Sequence, residues 1–322
     1  MERRRLEPSP PRLRRLAEEL EEDGVGFVLA DERAPTVLEE LDYALRPPVH
    51  EQRTPSYGSI IGPVTAPESW TATTQLVAER RPTVEFGDHE IRRFADGISS
   101  WAVRAGGGVD ELVVFDRSAS SERDLVILAE ASGGLVVQRH PSGVVRVVGP
   151  GGVARRDRGG WHHEPPLGDW LDEIPGCRAD DKLTTLGLLL DFAVHDLGAR
   201  GIGSLLILHP TGDLDAAHEQ RLPVPPALRI SRPNDLAPLR HALAHTDGAT
   251  VFDHAGTLRH MGLRLVPSPE AELAVRPMGG TRHTSARRFS YDQPDAVVVV
   301  ISDDGPVTVL RDGERMGRSF DA

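Results

Sequence analysis

The 322-residue sequence carries 37 Lys and Arg against 49 Asp and Glu, a formal net charge of −12, with 39% hydrophobic and 27% charged residues. That balance describes a globular chain long enough for two domains, and it argues against a general nucleic-acid binder, because phosphate backbones are held by an excess of basic side chains. A single cysteine, Cys177, excludes an internal disulfide and any multi-cysteine metal site.

The apolar runs fall well short of the ~20 residues a membrane helix needs. Behind the basic start Met1-Glu2-Arg3-Arg4-Arg5 there is no apolar stretch of the signal-peptide kind, so the expectation is a cytoplasmic protein without a membrane segment. Residues 1–54 read as a helical N-terminal arm. Leu13, Leu16 and Leu20 recur at helical spacing, and Val37, Leu38, Leu41 and Leu45 repeat the pattern after Pro35. Pro47-Pro48 and the polar run to Ser59 mark a boundary. His89 to Arg104 then predicts a helix with Ile91, Phe94, Ile98 and Trp101 on one face. After it the period changes to two: Leu112–Phe115, Leu125–Leu128, Leu135–Val137 and Val144–Val148 predict strands of an antiparallel meander, separated by Ser-Ser, Gly-Gly and Pro-Ser-Gly turns. Residues 55–170 thus predict a smaller mixed α/β domain, a sensing or regulatory one. Trp161-His162-His163-Glu164 has metal-ligand residue types without a spaced partner and reads as a hairpin end. The glycines at 106–108 and 149–152 read as turns, since neither set opens a helix after a strand.

Residues 171–322 predict a second α/β domain, a mixed β-sheet flanked by helices. Leu183 to Leu197 is apolar nearly all round, hence a buried helix, in which His195 makes a structural polar contact. Gly203 to Leu208 predicts a central strand. Asn234 or Asp235 then caps a helix that buries Leu236, Leu239 and Leu243 and ends at Thr246-Asp247-Gly248-Ala249. A carboxylate beside glycine at a strand edge suits a metal ion or a sugar hydroxyl. Further on, Met278-Gly279-Gly280-Thr281-Arg282-His283-Thr284-Ser285-Ala286-Arg287-Arg288 combines two glycines, a Thr able to cap a helix, and an Arg and a His in its first turn. Such an N-terminus offers free N–H groups, a partial positive charge and a guanidinium fork, all suited to a polyphosphate.

Together the two motifs resemble the diadenylate cyclase family, whose catalytic (DAC) domain carries Asp-Gly-Ala and, downstream, Gly-Thr-Arg-His-Arg. The resemblance covers roughly residues 180–322, including the strand Thr257 to Leu265 and the terminal Asp295 to Ser302. One position departs from it: Thr284 stands where the family has its second Arg. The resemblance implies ATP as substrate, Mg²⁺ or Mn²⁺ as cofactor, cyclic di-AMP as product and a head-to-head homodimer. Carried over residue by residue, Asp247, Gly248, Arg282 and His283 are catalytic, with Asp247 also the metal ligand. Ala249, Gly280, Thr281, Thr284, Ser285, Arg287 and Arg288 contact ATP, the last two sharing a helix face with Thr284 and able to restore the missing charge. The DNA-binding region of some relatives has no counterpart in the 20 residues after Ser302. Two other readings stand beside cyclisation: a nucleotide-holding sensor without turnover, and an assembly domain using only the two-fold face.

Overall fold

The computed structural model describes residues 11–30, 32–49, 51–82, 88–105, 110–156, 160–214, 218–219, 222–303 and 306–318. The chain divides into two compact units, one ending at Glu164 and one beginning at Pro165. The glycines at 106–108 lie outside the described residues, whereas Gly149 and Gly152 face each other across a hairpin turn.

The first unit runs α1 (Pro11–Glu22), α2 (Ala34–Leu45), β1 (Tyr57–Ile61), α3 (Pro67–Thr74), β2 (Ala78–Pro82), α4 (Asp88–Ile91), β3 (Ser100–Arg104), β4 (Glu111–Phe115), α5 (Glu122–Ser132), β5 (Leu135–Arg139), β6 (Val145–Gly149), β7 (Gly152–Arg156) and β8 (Trp161–Glu164). Its strands form one sheet in the order β2-β4-β3-β1-β5-β6-β7-β8. β1 and β3 are parallel. The other pairings are antiparallel; of the four runs expected to form a meander, three are strands (β4, β5 and β6), and of these only β5 and β6 pair with each other.

Strand alternation sends successive side chains to opposite faces, and each face finds helices to cover it. Tyr57, Ile61, Ala102, Val137, Val147 and Trp161 pack with α1 and α2. Ile60, Trp101, Val103, Val113 and Val136 pack with α3 and α5. The residues expected to form an arm are therefore a layer of this unit: Leu16, Leu20, Val37 and Leu41 are buried in the same core as the sheet. Glu19 accepts hydrogen bonds from Arg156 Nε and Trp161 Nε1.

Two segments differ from the sequence expectation for local reasons. The helix expected over 89–104 stops at Ile91. The Asp96 carboxylate accepts the N–H groups of Ile98, Ser99 and Ser100, and Gly97 adopts φ +67°, which turns the chain into β3. The strand expected at Leu125–Leu128 is part of α5. Ser121 and Asp124 form a reciprocal capping box and left-handed Gly133 ends the helix, so local capping outweighs the β-branched composition.

The second unit runs α6 (Leu167–Asp172), α7 (Thr185–Asp191), β9 (Ser204–Leu208), β10 (His218–Glu219), α8 (Pro233–Leu243), β11 (Ala249–Phe252), β12 (Leu258–Leu265), α9 (Pro269–Ala274), α10 (Thr281–Asp292), β13 (Val297–Ile301), β14 (Val307–Arg311) and β15 (Glu314–Arg318). The sheet order is β10-β12-β11-β9-β13-β14-β15, with β9 and β11 parallel. α6, α7 and α8 cover one face through Trp170, Leu189, Leu190, Leu236 and Leu239 against Leu206, Phe252, Val299 and Ile301. α10 covers the other through Ala286 and Phe289 against Leu205, Ile207, Val251, Val298 and Val300.

The expected helix over 183–197 begins later, at Thr185, where the Thr184 hydroxyl accepts from Gly187 N–H, and Leu183 is left 87% exposed. It continues as a π-helical stretch, Phe192–Leu197, that buries His195 and Asp196. Arg240 Nη1 donates to Asp196 Oδ1 at 2.9 Å. Neither Asn234 nor Asp235 caps α8: Arg232 precedes it, and the Asp235 carboxylate accepts from Arg229 N–H instead.

Candidate active site at one end of the second sheet

Strand register decides which loops meet. Along β9, Ser204 is opposite Ile301 of β13 and Leu205 is opposite Ala249 of β11. The beginning of β9, the beginning of β11 and the end of β13 therefore share one end of the sheet. Asp247 and Gly248 lie just before Ala249, and Arg282 Nη1 donates to Ile301 O at 3.2 Å. Both sequence motifs are thus brought to the same sheet end, Asp247 from the α8 side and Arg282 from the α10 side. β11 and β13 are two strand spacings apart, about 10 Å.

Gly248 is fixed by local geometry. Its φ is +100°, and a Cβ there would sit 2.7 Å from Leu263 O and 2.9 Å from the Gly262 carbonyl carbon, where β12 is bulged against β11. Only glycine lets the chain pass this closely while leaving Asp247 on the surface. Asp247 is exposed. Ala249 is 1% exposed, with its side chain in the core under α10, so it offers a ligand only backbone.

At the start of α10 the cap is Gly280, not Thr281, which is the first helical residue and makes no side-chain capping bond. Thr284 N–H returns to Gly280 O at 3.1 Å, the first hydrogen bond of the helix, and a helix N-terminus directs its backbone N–H dipoles and partial positive charge towards an anion. Thr281 is exposed; Arg282, His283, Thr284 and Ser285 are half-buried. The Thr284 hydroxyl accepts from Met278 N–H at 3.2 Å and donates to Met278 O at 3.3 Å, tying the Met278-Gly279-Gly280 loop to the helix it precedes.

Arg287 and Arg288 do not join this site. Arg287 Nε donates to Gly313 O at 2.6 Å and Nη1 to Arg276 O at 3.4 Å, while Nη2 pairs with Glu314 at 3.3 Å. Gly313 lies in the β14–β15 turn, and β14 runs away from the site end because Val307 is opposite Ile301. Arg287 thus anchors α10 at the other end of the sheet. Arg288 lies 3.8 Å from Glu272 on α9. The expectation that these arginines replace the charge missing at Thr284 is corrected accordingly. Asp292, in the last turn of α10, accepts from Ser268 N–H and its hydroxyl.

Two residues at this sheet end escaped sequence reasoning. Asp303 Oδ1 accepts from Arg282 Nη1 at 3.0 Å, and Gly203 lies directly beneath that pair. The available signal was a carboxylate two residues after the all-aliphatic strand Val297–Ile301, at the end opposite a Gly-X-Gly loop.

Among the described residues no group of three or more His, Cys, Asp or Glu side chains could hold a metal ion unaided. A hard divalent ion carried in on a nucleotide needs less: Mg²⁺ is held by one or two carboxylates with substrate phosphates and water completing the shell. Asp247, exposed at this sheet end, fits that requirement. His162 and His163, by contrast, lie on β8, where His163 Nε2 is 2.8 Å from Gly151 O. No helix among the described residues is long and apolar enough to cross a membrane.

Residues 192–315 match the family model described as "DisA bacterial checkpoint controller nucleotide-binding" (DAC), and residues 14–164 match that described as "Probable sensor domain DACNK". No curated protein matches the chain. Among solved structures, it is similar to a hypothetical membrane spanning protein from Bacillus cereus, with 21% identity over 41% of this chain and 62% of that one and a TM-score of 0.32. The chain thus spans less than two thirds of that protein's length. It is also similar to a double mutant of DacA from Staphylococcus aureus, with 20% identity over 42% of this chain and 86% of that one and a TM-score of 0.26.

Proposed function

Since residues 192–315 belong to the DAC family, we propose that this chain is a diadenylate cyclase that joins two ATP molecules into cyclic di-AMP and releases two pyrophosphates. The observation that carries this reading is the convergence of Asp247-Gly248 and Thr281-Arg282-His283 at one sheet end, set by the Leu205–Ala249 and Ser204–Ile301 register. The triphosphate binds at the N-terminus of α10, with Arg282 and His283 neutralising its oxygens. The ribose faces Asp247, and Gly248 leaves room for it.

Each 3′-oxygen forms a bond to the α-phosphorus of the facing nucleotide while the bond from that phosphorus to the β-phosphate's bridging oxygen breaks. Asp247 takes up the 3′-proton, and pyrophosphate leaves with its negative charge held by Arg282 and the helix N-terminus. Mg²⁺ or Mn²⁺ held by Asp247 would acidify the 3′-hydroxyl and neutralise the phosphates. Since the product joins its nucleotides symmetrically, two copies of the second unit meet face to face about a two-fold axis. The first unit senses a ligand or partner.

A second reading draws on Thr284. With its hydroxyl committed to Met278 and both following arginines engaged elsewhere, the pocket has one guanidinium fewer than the family motif, which favours a nucleotide-holding sensor with slow turnover. Turnover per protomer measured across a dilution series, beside sedimentation, tests the symmetric mechanism. The rate is expected to fall as the dimer dissociates. A monomer that retains full activity at high dilution would contradict it.

A further inference from the structure

We infer that Asp303 and Gly203 form a positioning device that holds the Arg282 guanidinium in the orientation needed to receive a nucleotide's phosphates; this rests on the reading of the sheet end as an ATP site. Arg282 Nη1 is held at two points, by Ile301 O at 3.2 Å and Asp303 Oδ1 at 3.0 Å. A side chain with several rotatable bonds is thereby fixed at one nitrogen, and its other donors are left for a ligand. The pair adds little to folding stability, because the Asp303 side chain is 79% exposed and exposed ion pairs contribute little.

Yet the fold keeps space for this pair. A Cβ on Gly203 would lie 1.5 Å from Asp303 Oδ1 and 2.6 Å from Arg282 Nη1, and a Cβ on Gly201, two residues earlier, would lie 2.9 Å from Asp303 O. Gly201 also needs its left-handed φ of +63° to end a helical turn, but Gly203 has no positive φ. The three atoms that a Cβ there would meet first all belong to the ion pair, so a side chain at 203 would push the pair aside.

The sign of one effect separates positioning from simple charge. A carboxylate beside a polyphosphate repels it, so removing Asp303 by charge alone should tighten ATP binding. Positioning requires the opposite. ATP affinity of the full chain is measured by calorimetry in EDTA, where any direct hold of Asp303 on a metal ion is absent, for Asp303→Asn, Gly203→Ala, Arg282→Lys and the Asp303→Asn/Arg282→Lys double variant. Expected are a 5- to 20-fold weakening in Asp303→Asn and a similar one in Gly203→Ala, which keeps the carboxylate, with no further loss when Asp303→Asn is added to Arg282→Lys. Unfolding temperatures should stay near that of the parent. Unchanged or tighter ATP binding in Asp303→Asn, or losses that add in full in the double variant, would overturn the inference while leaving the cyclase reading intact. ATP binding with the expected pattern but no cyclic di-AMP from the parent would sink the cyclase reading and uphold the positioning role. A parent that does not bind ATP would overturn both.

Discussion

In the cyclase reading Asp247 is both proton acceptor and metal ligand, and its exposed setting gives a sharp expectation. Asp247→Asn keeps the shape and the exposed position but removes the charge, so ATP binding should persist while turnover falls by ~10²-fold or more. Quantifying product and bound ATP in the same variant checks this; near-parental turnover would reduce Asp247 to a turn residue. Thr284 yields a second expectation. Thr284→Ser retains the hydroxyl that ties down Met278, whereas Thr284→Val removes it at constant volume and should weaken ATP binding several-fold by loosening the loop. Equal affinity in the two variants would show that the tie to Met278 does not matter. Asp247 and Arg282 stood out in sequence because Asp247 precedes Gly248 and Arg282 follows Gly279-Gly280-Thr281 at a helix start. Asp303 was not, since its meaning lies in a hydrogen bond to a residue 21 positions away.

At the scale of the element, α10 is a rod clamped at both ends. Its first turn meets the site through Arg282, and its later turns are fixed to the β14–β15 turn, where Arg287 Nε donates to Gly313 O and the Ser290 hydroxyl accepts from Gly313 N–H. Arg287→Ala should therefore cost about 1.5–3 kcal/mol of stability, as for a hydrogen bond from a charged group, and leave the KM for ATP unchanged. Chemical denaturation beside steady-state kinetics measures both, and a raised KM at parental stability would return Arg287 to the ATP site. Helical periodicity alone placed Arg287 near Thr284 and said nothing about which end of the sheet each would reach. The same limit explains the misread segments. Three N–H groups gathered by Asp96 ended the helix expected to reach Arg104, and the Ser121–Asp124 capping box turned the run Leu125–Leu128 helical. In both, a short polar side chain settled what the apolar pattern left open.

The molecule as a whole joins two mixed sheets, each with helices on both faces, and the apolar runs of the second sheet were the most legible feature of the sequence. β9, β11 and β13 follow from aliphatic runs bounded by glycine and aspartate. The order in which they pair does not, and that order creates the site. The first unit was less legible because two amphipathic helices that read as an N-terminal arm are one wall of its core. The proposed activity is condensation of ATP at one end of the second sheet. Its most direct test is to incubate the full chain with ATP and Mn²⁺ or Mg²⁺, with Asp247→Asn in parallel, and to identify the products by mass. The account predicts cyclic di-AMP and pyrophosphate from the parent and ATP left almost intact by the variant; ATP unchanged by the parent, or equal conversion by both proteins, would contradict it.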